Sequence, residues 1–198
     1  MAAARTQPGP SARPAWADPA VALTLVAVVL AGLLVFRHRG AIADPDALDM
    51  AAGMANGLKR GVPPGEWLLY GRLVSPGAYL GFHALVPLLH LGPEHTIGFL
   101  NAVSLAAMAL LPWPLFALYR RRFDPAVAAA ATLITAFTPL VWSAGCSFHP
   151  IGPAVLLLLL AVLAHGRSGA GLSGAAWFAA GAALGCAALC LRAEVALA

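Results

Sequence analysis

Apolar residues run along this chain in long blocks broken by short polar turns, with one exception: the interval 37–74, where charge, proline and glycine return together. The first block, 19–36, has the length and uniformity of a membrane helix, since a hydrocarbon core about 30 Å thick takes roughly 20 residues at 1.5 Å each. Further blocks fall at 97–119, 125–144, 151–164 and 172–191. The segment 75–92 is apolar but interrupted by Pro76, Gly77, His83, Pro87 and His90. It reads either as a sixth span or as a segment dipping into the interface. Pro112 and Pro114 predict a kink in the block 97–119. No block alternates with the period of a barrel strand, so the fold class is all-α: a polytopic transmembrane helical bundle of five or six spans with a long amphipathic first loop.

Residues 1–18, rich in Pro, Ala and Arg, predict a disordered tail ahead of a transmembrane domain over 19–198. Ala41-Ile42-Ala43 resembles a signal-peptide cleavage site, but Arg37-His38-Arg39 directly after the apolar block argues for a retained helix. Within the polar interval, Asp44-Pro45-Asp46 opens a helix well, with an acidic cap, a proline in the first turn and further acid at the positive dipole end. Leu48, Ala51, Ala52, Ala55 and Leu58 then recur at helical spacing, predicting a short amphipathic helix at the bilayer surface. Lys59-Arg60-Gly61 and Pro63-Pro64-Gly65 end it.

Composition agrees with this reading. Hydrophobic residues make up 61% and charged residues 10%, well under the roughly 25% of soluble domains. The net charge of +4 comes from basic residues at span ends, which excludes a nucleic-acid surface and instead bears on orientation. With six spans, nine Lys/Arg lie on the side of the 37–74 loop and three on the other, which puts the loop inside. With five spans the split is six to six and the loop faces out. Three scattered cysteines predict neither a disulfide framework nor a metal site, and Cys186 and Cys190 read as small packing residues on one helix. The histidines are dispersed, with His83 and His90 on one helix face and no pair at metal-ligand spacing. No Walker loop, dinucleotide fingerprint, zinc-protease helix or nucleophile elbow occurs.

The interval 37–74 holds four of the eight acidic residues, Asp44, Asp46, Asp49 and Glu66. Asp46 and Asp49, three positions apart, share a helix face, where one carboxylate can raise the proton affinity of the other and act as a general base. The same residues also serve as cap, dipole partner and solvated surface without any chemistry. Arg192 and Glu194 close the last block at an aqueous boundary, where an ionisable pair is a functional candidate and a snorkelling arginine explains it equally.

In their order, these pieces resemble the N-terminal part of the C-type (GT-C) integral-membrane glycosyltransferases, the superfamily of protein O-mannosyltransferases and aminoarabinose transferases. The acidic run from Asp44 through Ala55-Asn56-Gly57-Leu58 to Gly61 is similar to that family's first loop. Ser75-Pro76-Gly77 through Leu91-Gly92 is similar to its proline-led next helix, and Leu191-Arg192-Ala193-Glu194 to its Arg-Pro-Glu ending. The resemblance covers most of 19–198. It implies an extracytoplasmic first loop whose Asp (Asp46 first, with Asp49 and Asp44 as rivals) deprotonates or orients an acceptor hydroxyl. It also implies a polyprenyl-phosphate sugar donor in the cell membrane, its phosphate offset by Arg72, Lys59 and Arg60. Trp67, Tyr70 and His149 are then substrate-side candidates, the first two equally interfacial anchors. Some relatives admit a divalent metal, and no residue here demands one; the partners are membrane lipid and the lipid-linked sugar, not nucleic acid.

The chain departs from the family pattern in three ways. Its second acidic loop would fall at 146–150, where His149 stands and no carboxylate does. The aromatic after the first Asp is replaced by Leu48 or Met50, and the family usually has more spans beyond a point corresponding to Ala198. A non-catalytic membrane protein, or a truncated inactive remnant of such an enzyme, is the alternative. A small transporter built on the proline-broken helices is a third reading, opposed by the lack of an inverted repeat.

Overall fold

The computed structural model describes residues 18–37, 45–61, 76–166 and 173–191, with side chains for all of these except 45, 46, 76–79 and 189–191. Among them the chain is helical and has no strand. The tail, Asp44, the 62–75 stretch with Trp67, Tyr70 and Arg72, and Arg192 with Glu194 lie outside the described residues.

Helix α1 (Pro19–Phe36) is the central strut. One side of it is buried at Ala22, Leu25, Val29 and Leu33, the i, i+3, i+7, i+11 stripe of a helix with one packed face. Its other side carries exposed Leu23, Val28, Leu34 and Val35, as a lipid-facing surface does. Helices α4 (Thr96–Leu110) and α5 (Pro112–Tyr119) run past it in the opposite sense, with the Arg120-Arg121-Arg122 turn at their end. The expected break at the prolines is slight: the Leu111 N–H still donates to Ala107 and the Leu115 N–H to Leu111, so Pro93–Tyr119 reads as one 27-residue apolar span. Pro112 sits at the first turn of α5, where its missing N–H costs least.

The sharp bend falls elsewhere. The block 125–144, expected as one span, splits into α6 (Pro125–Ala136) and α7 (Pro139–Cys146), inclined at 62°. The cause is local: Pro139 disfavours helical geometry at the preceding residue, and Thr138 stands extended at φ −63°, ψ 145°. Asp124 caps α6, its Oδ1 accepting from the Ala126 and Val127 N–H groups at 2.9 and 3.0 Å. The bent α7 lies close against α1 and α4. A Cβ at Gly145 would stand 2.7 Å from Leu33 Cδ2 and 3.0 Å from Met108 Cβ, so a larger residue here would have to push both neighbours aside. Helix α8 (Ile151–His165) returns toward the arginine turn, and α9 (Gly174–Leu191) packs along it.

By length and composition two helices can cross a membrane, α1 and the Pro93–Tyr119 run, or three with the bent pair. Ile151–His165 and Gly174–Ala188 are apolar but shorter, so the expected five or six spans exceed the number of helices that meet this length.

Helix α2 (Pro45–Arg60) forms as expected and ends at Gly61, whose φ of +64° is the left-handed turn that glycine favours. Its packed stripe differs from the expected one. Ala47, Met50, Ala51 and Met54 are buried, with Leu58 beside them, while Leu48 and Ala52 are exposed. The methionines reach further than the alanines and fill the space against Phe82, Leu100 and Phe148. The helix thus packs on protein as well as flanking a surface. Helix α3 (Pro76–Leu89) follows, stopped by His90 at φ +50° with the Leu91 N–H donating to Val86.

Candidate functional site

Four pieces of the chain meet at one end of the bundle. Helix α2, Phe82 of α3, Leu100 near the start of α4, and Phe148 form a single apolar cluster, with Leu91 and Ile97 packed on it. The short turn Pro93–His95 also lies against α2. Helix α3 therefore does not carry the chain away from α2: the turn after it returns to the same helix. At the opposite end Asp18, just before α1, pairs with Arg120 at 4.0 Å, so α1 and the α4–α5 run each join the two ends.

The 147–150 loop is held by two side chains from one face of α4. The Phe148 N–H donates to Asn101 Oδ1 at 2.7 Å, and the His149 N–H donates to Ser104 Oγ at 3.1 Å. The Ser104 hydroxyl in turn donates to the His149 carbonyl at 3.4 Å. Ser104 is fully buried, so these bonds satisfy a loop backbone that lipid or protein would otherwise leave unpaired. The His149 ring is oriented as well: its Nδ1 accepts from the Ile151 N–H at 3.1 Å. In the neutral ring that places the proton on Nε2, a hydrogen-bond donor.

The expected site residues distribute as follows. Asp49 is exposed on α2, on the side away from Met50 and Met54. Lys59 and Arg60 are exposed at the C-terminal end of that helix, where cations suit the dipole. His149 is half-buried on the loop whose Phe148 shares one apolar cluster with α2, so the structure brings the 147–150 loop and α2 into the same region. Asp46 belongs to α2, but its side chain, like Asp44, Arg72, Trp67 and Tyr70, lies outside the described residues. Among the described residues no group of three metal-ligating side chains occurs.

Asn101 and Ser104 are the residues that sequence reasoning missed. A signal existed, since an Asn inside an otherwise apolar span is costly unless a partner holds it. Its target, a loop 47 positions away, is set only by the fold. Glu94 also stands at this end, exposed and 3.2 Å from His95 Nδ1.

No curated protein and no solved structure matches the chain. The profile of the dolichyl-phosphate-mannose-protein mannosyltransferase family matches residues 94–198. That stretch starts at the turn beside α2 and includes the Asn101–Ser104 clamp, the arginine turn and the His149 loop. It amounts to just over half of the sequence, and with apolar helices of membrane length it shows that the chain belongs to this family of membrane glycosyltransferases of the mannosyltransferase type.

Proposed function

We propose that the protein transfers a mannosyl residue from a polyprenyl-phosphate donor to an acceptor hydroxyl at the extracytoplasmic face of the cell membrane, as a multi-pass enzyme of the GT-C type. The observation that carries this reading is the convergence of α2 and the 147–150 loop at the end of the bundle opposite Arg120–Arg122. It supports a site built from first and second loops on one face, with the arginine turn on the other, as the positive-inside tendency favours for that turn.

In this reading Asp46 takes the acceptor proton as the hydroxyl oxygen attacks the anomeric carbon, with Asp49 and Asp44 as rivals. The bond from that carbon to the phosphate oxygen breaks, and the polyprenyl phosphate leaves with the electron pair. By helical register Asp46 precedes Met50 by four positions and so borders the packed stripe, whereas Asp49 is solvated. Lys59, Arg60 and Arg72 offset the charge gathering on the leaving phosphate. His149 is the substrate-side residue that stands where the family's second carboxylate is missing. Trp67 and Tyr70 seat the loop at the interface or stack on the sugar.

The test is a transfer assay with the full chain in liposomes, an acceptor peptide bearing Ser and Thr, and labelled mannose supplied either on a polyprenyl phosphate or on a nucleotide. Label is expected to reach the peptide from the lipid-linked donor alone. Transfer from the nucleotide sugar and not from the lipid would refute the donor assignment, and no transfer from either would favour the non-catalytic alternative.

A further inference from the structure

A shallow, open groove of about 520 Å³ runs along the packed α8–α9 pair. Its walls are almost wholly apolar, formed by Leu158 and Val162 of α8 facing Gly181 and Gly185 of α9, with His165 at one end. The two glycines shape it differently. A Cβ at Gly181 would overlap the His165 ring, so glycine there lets the imidazole close on the α9 backbone, while a Cβ at Gly185 would meet nothing within 4 Å. The groove is open, and its apolar walls offer water no hydrogen-bond partners. Between two apolar helices the surface that matches such walls is a hydrocarbon chain.

Beyond the His165 end of the cleft, past its lining residues, lies the arginine turn. Arg121 lies over the last turn of α8, its Nη2 donating to the Leu163 carbonyl at 3.4 Å and its guanidinium crowding Gly166. Arg122, next to it, is exposed. The described acids nearby are already engaged, Asp18 with Arg120 and Asp124 as the cap of α6. Among the described residues neither Arg121 nor Arg122 has a carboxylate partner. A guanidinium has five N–H donors, so one bond to Leu163 leaves the fork able to grip a phosphate.

We propose that this cleft is a phospholipid site: one acyl chain lies between α8 and α9, and the anionic phosphate of the same lipid is bound by Arg121 with Arg122. It takes membrane lipid, not sugar donor, and lies at the end of the bundle away from α2. The paired features, an open apolar groove and, beyond its end, an arginine with no carboxylate partner among the described residues, distinguish an anionic phospholipid from a neutral one.

Native mass spectrometry of the full chain, extracted from vesicles of equal phosphatidylcholine and phosphatidylglycerol, tests this. The wild type is expected to retain phosphatidylglycerol in preference. Arg121→Gln should cut that retention about tenfold, and Arg121→Lys, which keeps the charge but not the fork, should fall between it and the wild type. Gly185→Leu, which grows into open space, should cut retention with both arginines intact. Equal retention of the two lipids by the wild type, or undiminished retention by Arg121→Gln and Gly185→Leu alike, would overturn the site. Displacement of phosphatidylglycerol by equimolar polyprenyl phosphate would overturn it too, by assigning the cleft to the donor.

Discussion

Asp46→Asn is expected to lower kcat for mannosyl transfer by about two to four orders of magnitude, the usual worth of a positioned general base. The substitution keeps shape and hydrogen-bonding reach at the start of α2 but removes the ability to accept a proton. A loss confined to kcat, with KM little changed, marks an interaction made in the transition state. Asp49→Asn should change the rate little, because Asp49 is solvated on the side of α2 away from the packed stripe. The reverse result would move the base to Asp49. Wild-type rates in all three single variants, Asp44→Asn included, would end the case for an acidic first loop as the source of the base.

Phe148→Ala should be the most destabilising change at the site, by about 3–5 kcal/mol. Phe148 is almost fully buried in the cluster that also holds Met50, Met54, Phe82 and Leu100, and it is the buried member that the 147–150 loop contributes. Truncation leaves a cavity in this cluster, and the neighbouring backbone bonds to Asn101 and Ser104 limit its collapse. Hydrogen exchange along α2 should accelerate by two orders of magnitude or more, at about a factor of ten per 1.4 kcal/mol. Leu140→Ala, at an exposed apolar position, should shift stability by under about 0.5 kcal/mol. Unchanged exchange in α2 on loss of Phe148 would mean that loop and helix do not support one another.

Helix α1 was legible from the sequence because uniform apolarity over 18 residues needs no knowledge of partners. The amphipathic α2 was legible as an element but not in its packed side. Spacing admits a stripe through Leu48 and Ala52 as readily as one through Met50 and Met54, and only Phe82, Leu100 and Phe148 on the other side choose between them. The bend at Thr138 was hidden because both arms are apolar, so hydropathy runs across the break unchanged. At the site, the ordering of acidic loop, proline-led helix and later loop carried the family likeness. The Asn101–Ser104 clamp and the ring orientation of His149 depend on contacts 45 or more positions apart or on loop geometry, which no local pattern encodes.

The central claim is that α2 and the 147–150 loop share the outer face of the membrane and the arginine turn the inner one. Single cysteines in a background lacking Cys146, Cys186 and Cys190 test it most directly. Asn56→Cys, on an exposed position of α2, and Arg122→Cys, on the opposite turn, are treated in intact cells with a membrane-impermeant thiol reagent. Labelling of the cysteine at position 56 from outside, and of that at 122 only after permeabilisation, is the expected result. Labelling of 122 in intact cells with 56 protected would put the loop inside, as the six-span charge count has it, and would contradict an extracytoplasmic mannosyl transfer site.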